Sequence, residues 1–245
     1  MRRIRVFASY RNLSADAVEG LDVVIVDVLR ATTTIVFAVS QGASVLPLAG
    51  VDEALERGRE LGDKAIVVGE RMGQQLAGFH CNNSPTELAA FDLKRKTVVL
   101  TTTNGTQAVA ASKPARRIFA AALTNAPALG EFLCKKGTLE RDLAIICAGR
   151  NTGAIAFEDL LGAGAVVSAV EKAAKRGADL WLADGARVAR EIFRRERARL
   201  HAAVRGSDAG RDLMKHGGRA DIAVASAHGT VEAVARLRGG MFVTA

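Results

Sequence analysis

Val23-Val-Ile-Val-Asp-Val-Leu-Arg-Ala-Thr-Thr-Thr34 is the stretch of the sequence that decides the fold. Its first four residues are β-branched without polar interruption, which is typical of a strand buried on both faces. Hydroxyl residues and a helical pattern follow this strand. Val98-Val-Leu100 before Thr101-Thr-Thr-Asn-Gly-Thr106 and Leu143-Ala-Ile-Ile146 before Cys147-Ala-Gly149 repeat the arrangement. The three turns therefore predict one anion-binding site at the carboxyl edge of a sheet.

Strand and helix patterns alternate along most of the sequence. Strands are predicted over residues 5–8, 23–27, 44–49, 65–69, 97–102, 117–121, 142–147 and 241–244. Helices are predicted over residues 33–41, 51–61, 85–91, 105–111, 126–136, 157–176, most of 180–205, and 207–216, while 219–227 fits either type. This alternation favours an α/β fold with a mainly parallel sheet covered on both faces and a helix-rich C-terminal third.

Residues 178–236 could form a helical flap or subdomain. No Pro- or Ser-rich linker separates them from the rest, so we treat residues 1–245 as a single domain. A long loop is predicted over residues 70–84. Ser84 is the expected N-cap of the helix that Pro85 opens, with Glu87 as its capping-box partner.

The composition limits the classes of function. The chain has 245 residues, of which 49% are hydrophobic, so a substantial core can form. Its net charge of +8 comes largely from residues 187–205, where glutamates alternate with arginines as on a solvated helix face. Because aromatic residues make up only 4% of the chain and no nucleic-acid motif occurs, we predict no nucleic-acid partner.

The sequence predicts neither a membrane span nor a signal peptide. No apolar stretch reaches membrane-spanning length, and the basic start resembles a first strand rather than a signal peptide. The three cysteines, Cys81, Cys134 and Cys147, are dispersed and predict neither a zinc site nor a disulfide framework. We therefore expect a cytoplasmic protein without a membrane partner; the oligomeric state stays open, with a homodimer as one option.

Asp27 lies where the decisive strand ends, and Arg30 follows three residues later. A carboxylate in this place can hold Mg²⁺, attack phosphorus or cap the next helix. Arg30 can bind a phosphate or sulfonate through two hydrogen bonds. Thr32 and Thr33 offer hydroxyl and N–H groups near the helix start, although a polar turn explains them equally well.

A second acid and arginine, Glu70 and Arg71, follow the strand predicted at residues 65–69. Glu70 suits a metal ligand or a general base and Arg71 an anion clamp, while a surface ion pair is the structural alternative. Asn83 and Ser84 place an amide and a hydroxyl before the helix that Pro85 opens, where anions bind readily.

Two later turns carry further candidates. Thr101-Thr-Thr-Asn-Gly-Thr106 offers hydroxyls around a sharp Asn-Gly turn, which either cradles a phosphate or only joins strand to helix. It lacks the lysine of a Walker loop. Glu158 and Asp159 open a helix after Gly149 and point about 100° apart, so at most one faces a site directly. Both also favour the positive end of a helix.

In their order along the chain, these residues resemble the 2-phosphosulfolactate phosphatase family of coenzyme M biosynthesis. The matching stretches are Asp27-Val-Leu-Arg-Ala-Thr-Thr-Thr-Ile35, Gly69-Glu-Arg71, Gly78-Phe79, Asn83-Ser-Pro-Thr-Glu87, Thr101-Thr-Thr-Asn-Gly-Thr106, Cys147-Ala-Gly149, Glu158-Asp159, Ser207-Asp-Ala-Gly210 and residues 217–221. The resemblance implies a hydrolase with a three-layer α/β/α fold and a mixed sheet. It also implies a Mg²⁺-dependent phosphatase that acts on a small phosphorylated acid.

We accordingly predict hydrolysis of 2-phosphosulfolactate to sulfolactate and phosphate, with Mg²⁺ as the cofactor. The predicted catalytic residues are Asp27, Glu70 and Arg30, and the predicted metal ligands come from Asp27, Glu70, Glu158 and Asp159. The predicted substrate-binding residues are Arg71, Thr32, Thr33, Asn83, Ser84, Thr103, Asn104, Gly105, Thr106 and Gly149. Either water or Asp27 attacks phosphorus, and water is favoured because Leu29 stands where a paired acid would be needed.

Two alternatives to this function stay open. His80 and Asn82 stand where the family pattern usually carries Asp and Gly. One alternative is a non-catalytic phosphate- or anion-binding protein of the same fold. The other is a phosphatase with a different small substrate.

Overall fold

A mixed sheet of eleven strands organises the chain in a computed structural model that describes residues 2–135, 141–174 and 179–245. In sheet order the strands are β5, β4, β6, β3, β11, β10, β7, β2, β8, β1 and β9. In chain order they are β1 (Arg2–Phe7), β2 (Asp22–Val26), β3 (Ser44–Pro47), β4 (Ala65–Arg71), β5 (Gln74–Gln75), β6 (Thr97–Thr101), β7 (Arg117–Ala121), β8 (Leu143–Cys147), β9 (Leu180–Leu182), β10 (Ala235–Arg238) and β11 (Met241–Thr244).

Helices fill most connections between the strands. They are α1 (Ala31–Ser40), α2 (Val51–Leu61), α3 (Pro85–Leu88), α4 (Gly105–Ala111), α5 (Ala126–Cys134), α6 (Phe157–Ala173), α7 (Asp184–Glu196), α8 (Leu200–Gly206), α9 (Asp208–Lys215) and α10 (Arg219–Ser226). Short 3-10 turns lie at Tyr10–Asn12, Ala15–Ala17, Gly62–Lys64 and Arg197–Arg199. The predicted α/β class, the mainly parallel mixed sheet and the helix-rich C-terminal third are confirmed.

The antiparallel hairpin β10–β11 joins two parallel halves of the sheet. One half is β4, β6 and β3; the other is β7, β2, β8, β1 and β9. The three successive antiparallel pairings, β3–β11, β11–β10 and β10–β7, reverse the strand direction between the halves. In a flat sheet, the carboxyl ends of β6 and β2 would therefore lie at opposite edges.

The turns after β6 and β2 nevertheless meet. A Cβ placed on Gly105, which follows β6, would lie 2.7 Å from Asp27 Oδ2 and 2.4 Å from Ala31 Cβ. Adjacent strands rotate by roughly 20–25°, and this twist accumulates over the steps between β6 and β2. The sheet must therefore twist and curve strongly enough to bring both turns to one place.

Helix α1 occupies the space that this curvature encloses. Eight of its ten residues are buried, and it contacts β3 and β11 as well as β10 and β7. Its apolar residues on all sides suit a helix with no solvent face. Val23 and Ile25 of β2 pack on this inner side, while the alternating Val24 and Val26 pack on the outer side.

The outer surface of the sheet is covered by other helices. Helices α5, α6 and α7 pack against one another over the β2 half, and α2 packs over β4 and β6. Helices α8 and α10 contribute Val204 and Ile222 to the same core as α6, so the C-terminal helices are packed onto the body. Within the described residues, no helix has the length and apolarity that a membrane crossing requires.

The element boundaries differ from the sequence prediction mainly in the C-terminal third. The helix predicted over residues 180–205 is divided, since Leu180–Leu182 pairs with β1 at the sheet edge and α7 and α8 follow. Arg219–Ser226 is helical, and β10 was not predicted. The predicted helix ends at residues 136 and 176 lie outside the described residues.

The predicted N-cap at Ser84 is confirmed, because its Oγ accepts a hydrogen bond from Glu87 N at 3.1 Å. The reciprocal contact differs from a capping box. Glu87 Oε2 accepts from Asn82 N at 2.9 Å rather than from the cap residue.

Candidate active site

A cavity of about 430 Å³ lies where β2, β4, β6 and β8 end. Such a volume suits a small ligand. Helix α9 also contributes to its wall. The lining residues are Asp27, Leu29, Arg30, Glu70, Met72, Gly73, Asn83, Thr103, Asn104, Gly149, Arg150, Asn151, Thr152, Glu158, Asp159, Ala209, Asp212, Leu213 and His216.

Asp27 is held rigidly at the start of α1. Its Oδ1 accepts from Ala31 N at 3.2 Å, and its backbone N–H donates to Thr32 Oγ1 at 2.8 Å. Burial raises the pKa of Asp27 to about 7, and the carboxylates of Glu70 and Glu158 add to the rise. Ionised Asp27 is therefore costly in the absence of a neutralising cation.

Asp159 joins the turns after β2 and β8. Its Oδ1 accepts from Val28 N at 2.8 Å and its Oδ2 from Gly149 N at 2.9 Å. Burial raises the pKa of Asp159 well above its usual range, with further contributions from Asp27 and Glu158. Both oxygens thus already serve the local structure.

Glu70 joins the β4–β5 hairpin to the turn after β6. Its Oε1 accepts from Thr103 N at 2.7 Å. Its Oε2 accepts from Gly73 N at 2.7 Å and from Thr103 Oγ1 at 3.1 Å. Like Asp159, this carboxylate fixes two turns around the cavity.

Glu158 differs from these two acids, because its Oε2 is buried and has no hydrogen-bond partner among the described residues. Burial raises the pKa of Glu158. Asn83 Oδ1 and Asn104 Oδ1 are also buried without a partner in the part of the chain that the structure describes, and both residues line the cavity. Because buried acceptors are normally paired, these oxygens indicate a ligand or ion that supplies positive charge or donors.

Arg30 brings a buried positive charge to the cavity. Its Nη1 lies 2.8 Å from Asp221 Oδ2, and its Nη2 donates to Asn82 Oδ1 at 3.1 Å. Asp221 Oδ1 also accepts from Ser84 Oγ at 2.7 Å and from Thr86 Oγ1 at 2.6 Å. The guanidinium is therefore fixed by its neighbours before any ligand binds.

The structure brings nine of the predicted site residues to the cavity wall and leaves six behind it. Those on the wall are Asp27, Arg30, Glu70, Asn83, Thr103, Asn104, Gly149, Glu158 and Asp159. The expectation that at most one of Glu158 and Asp159 would face the site is therefore wrong, since both line the cavity. Four of those behind the wall form hydrogen bonds within the surrounding structure: Thr32 with Asp27, Thr33 with Val28 O, Thr106 with Thr102, and Ser84 with Asp221. A fifth, Gly105, has no side chain and so lets the start of α4 approach Asp27 closely.

Arg71 is the sixth of these residues. Its Nη1 donates to Glu70 O at 2.7 Å, and its Nη2 donates to Ala49 O at 3.0 Å and Thr101 Oγ1 at 2.9 Å. These bonds tie the ends of β4 and β6 to the loop after β3. They leave Arg71 outside the residues that line the cavity.

The sequence interpretation missed two groups of lining residues. Arg150, Asn151 and Thr152 directly follow Cys147-Ala-Gly149, so the position of that turn was the available signal. Asp212 and Leu213 come from α9 and His216 directly follows it; the three lie between the two family-like stretches at residues 207–210 and 217–221, which was the available signal.

The fit of a divalent cation follows from the donor atoms. Among residues 2–135, 141–174 and 179–245, no three acidic, His or Cys side chains converge as a ready metal centre. Asp159 and Glu70 use their oxygens in hydrogen bonds, whereas Glu158 Oε2 is unpartnered. Since Mg²⁺ is commonly bound by one or two carboxylates together with waters and substrate phosphate, Asp27 and Glu158 fit it.

The fold and the cavity define an α/β protein with a carboxylate-rich anion site at its strand ends. A family model described as 2-phosphosulpholactate phosphatase matches residues 8–240. The chain therefore belongs to the 2-phosphosulpholactate phosphatase family, whose activity is phosphoric monoester hydrolysis. The resemblance drawn from the motifs is thus confirmed.

Curated relatives agree with the family model. A probable 2-phosphosulfolactate phosphatase of Symbiobacterium thermophilum is 37% identical over 219 residues, 89% of this chain and 91% of the relative. One of Thermotoga maritima is 37% identical over 227 residues, 92% and 93% of the two chains. One of Clostridium acetobutylicum is 33% identical over 193 residues, 78% and 79% of the two chains.

Proposed function

We propose that this protein hydrolyses 2-phosphosulfolactate to sulfolactate and inorganic phosphate, with Mg²⁺ as its cofactor. The observation that carries the proposal is one cavity that combines the buried guanidinium of Arg30 with the carboxylates of Asp27 and Glu158. The family and the names of its curated members supply the substrate.

The charge pattern supports phosphate binding together with a cation. Arg30 is buried beside Asp221, so its guanidinium is oriented and can donate to phosphate oxygens without reorganisation. Helices α1 and α6 begin at the cavity, and the positive ends of their dipoles favour an anion there. The acids alone would repel phosphate, which is why the proposal includes Mg²⁺.

Asp27 and Glu158 would hold the Mg²⁺ ion. When bound, the ion neutralises charge on the phosphoryl oxygens as the phosphorus–oxygen bond breaks. Asp159 and Glu70 keep the surrounding turns in place through the backbone N–H groups of Val28, Gly149 and Thr103. These acids therefore shape the site rather than bind the ion.

Water is the proposed nucleophile. Its oxygen forms the new bond to phosphorus as the bond between phosphorus and the substrate's C2 oxygen breaks. A proton released by the water ends on that C2 oxygen, so the products are sulfolactate, as its alcohol, and inorganic phosphate. Leu29 lines the cavity two residues after Asp27. It supplies no second acid there to protonate a leaving group for attack by Asp27.

The two departures from the family pattern leave the wall of the cavity intact. His80 is exposed and its Nδ1 accepts from Val67 N at 2.9 Å. Asn82 accepts from Arg30 and donates through Nδ2 to Gly73 O at 3.1 Å. Neither residue lines the cavity, so neither the His80 nor the Asn82 departure favours a non-catalytic protein.

A phosphate-release assay tests the proposal. Purified protein is incubated with 2-phosphosulfolactate and with a panel of small phosphorylated hydroxy acids, in Mg²⁺ or in chelator. The expected result is release from 2-phosphosulfolactate that needs Mg²⁺. Tight binding without release from any substrate would instead identify an anion-binding protein, and preferred release from another acid would identify a different substrate.

A further inference from the structure

We propose that Arg150 binds the second anionic group of the substrate, the sulfonate or carboxylate that lies away from the phosphate. This inference rests on the proposed function, because it assumes a substrate with negative charge at more than one place. It assigns a role in substrate recognition to a residue outside the motif residues on which the sequence interpretation depended.

The cavity offers few cations for such a substrate. Of its described lining residues, only Arg30 and Arg150 carry a guanidinium. Arg30 lies deep in the site, with 7% of its surface exposed. Arg71 bonds to Glu70 O, Ala49 O and Thr101 Oγ1 behind the wall. If Arg30 binds the phosphate, Arg150 is the guanidinium that remains for the other anion.

The surroundings of Arg150 leave its guanidinium able to bind an anionic group of the substrate. Its Nη2 donates to Asp212 Oδ2 at 2.9 Å, and within the described residues the guanidinium makes no other hydrogen bond. Its side chain is 34% exposed, so an incoming anion can reach it. Asp212 thus orients the guanidinium through Nη2, and the other guanidinium nitrogens stay available to donate to a planar carboxylate or a sulfonate.

Arg150 is also close to the predicted cation ligands. It lines the same cavity as Glu158, and its charge opposes the burial that raises the pKa of Glu158. An anion on Arg150 therefore lies beside the part of the site that would bind phosphate and Mg²⁺. The proposal thus places the phosphate at Arg30 and the second anionic group at Arg150 within one cavity.

The test compares two phosphomonoesters in the full-length protein. One is 2-phosphosulfolactate, and the other is glycerol 2-phosphate, which has three carbons but no second anion. For Arg150→Gln we expect about a 10- to 100-fold rise in KM for 2-phosphosulfolactate and little change for glycerol 2-phosphate. Arg150→Lys should raise the KM for 2-phosphosulfolactate by a smaller factor, because lysine keeps the positive charge but lacks the two parallel N–H donors of the guanidinium.

Two further variants separate recognition from general effects. Asp212→Asn should weaken 2-phosphosulfolactate binding less than Arg150→Gln does, because Asp212 only positions the guanidinium. Arg194→Gln is the matched control, since it removes the same charge from an exposed arginine that pairs with Glu171 in α6. Glu171 lies thirteen residues from Glu158 along that helix, or about 20 Å.

Direct binding distinguishes failure of this inference from failure of the proposed function. Sulfolactate, which has no phosphate, is titrated into the wild type and the Arg150→Gln variant by calorimetry in Mg²⁺. Weaker binding by the variant supports the inference even if no turnover is found. Equal binding by both, or an equal loss of kcat/KM for the two phosphomonoesters, would overturn it.

Discussion

Arg30 and Asp221 form a buried ion pair, with Nη1 and Oδ2 2.8 Å apart, between the turn after β2 and helix α10. Asp221 also accepts from Ser84 and Thr86, so one carboxylate joins three separate parts of the chain. The pair explains how a C-terminal helix stabilises an anion site that begins at residue 27.

Replacing Asp221 should therefore be costly. Asp221→Ala leaves Arg30 buried without its charge partner, and removing one member of such a pair costs about 3–5 kcal/mol. Urea unfolding measures the loss. Glu60→Gln is the control, because it breaks only an exposed pair with Arg57 and should change stability by less than about 0.5 kcal/mol. Equal effects of the two changes would contradict the prediction.

Gly105 should tolerate no side chain. In Gly105→Ala, the new Cβ would meet Ala31 Cβ at 2.4 Å and Asp27 Oδ2 at 2.7 Å, so α1 and α4 must separate. We expect a loss of about 1–3 kcal/mol in unfolding free energy and a large loss of phosphatase activity. Gly206→Ala is the matched control. Apart from its chain neighbours and its own helix backbone, no atom of the described residues lies within 4 Å of the new Cβ, so both properties should stay near wild type.

The contact at Gly105 also shows what the sequence could predict. The turns that form the cavity were predicted correctly from the apolar runs and the small residues after them. This was possible because a buried strand and the turn at its end each have a recognisable pattern in the local sequence. The prediction placed all the turns on one edge of a sheet. The strand order shows instead that β6 and β2 run oppositely, and that twist brings their ends together. Twist and closure depend on non-local pairing, which no local pattern reveals.

The roles of the acids and arginines were hidden for a similar reason. Glu70 and Asp159 were predicted as metal ligands beside Asp27 and Glu158, and that assignment stays a prediction. The structure adds that the oxygens of Glu70 and Asp159 accept backbone N–H groups. Arg71 and Arg150 look alike in sequence, as arginines that follow a strand end. Only the packing shows that Arg150 lines the cavity whereas Arg71 bonds behind it. Some partners lie far along the chain, 33 residues apart for Glu70 and Thr103 and 131 for Asp159 and Val28, so the local sequence does not reveal them.

Asp27→Asn should stabilise the protein in the presence of a chelator. Burial and the nearby carboxylates of Glu70 and Glu158 raise the pKa of Asp27 to about 7. At pH 8 Asp27 is therefore ionised in the folded protein, and the same burial and repulsion make its charge unfavourable. The amide removes this repulsion and keeps an oxygen for Ala31 N. We expect about 1–2 kcal/mol greater unfolding free energy, together with loss of phosphatase activity. A less stable variant in chelator would argue against repulsion among these acids.

His228 should make the stability depend on pH. Burial lowers the pKa of His228, and the charges of Arg197 and Lys172 lower it further. Because the folded state then binds fewer protons than the unfolded state near the usual histidine pKa, stability falls as pH falls through that value. Unfolding free energies between pH 8 and 5.5 should decline less steeply in His228→Gln than in the wild type. Identical slopes would show that His228 is not the group responsible.

The choice between water and Asp27 as nucleophile can be decided by rapid quench. If Asp27 attacked, hydrolysis would pass through an aspartyl-phosphate, and acid quenching of a reaction with phosphoryl-labelled substrate would trap labelled protein. Leu29, the residue that lines the cavity two positions on, offers no acid to assist that route. We therefore expect a steady-state turnover without labelled protein, and incorporation of one ¹⁸O atom from solvent water into the phosphate. Since hydrolysis of an aspartyl-phosphate would also place solvent oxygen in the phosphate, the quench is the deciding measurement. Acid-stable label that disappears in Asp27→Asn would establish the covalent route instead.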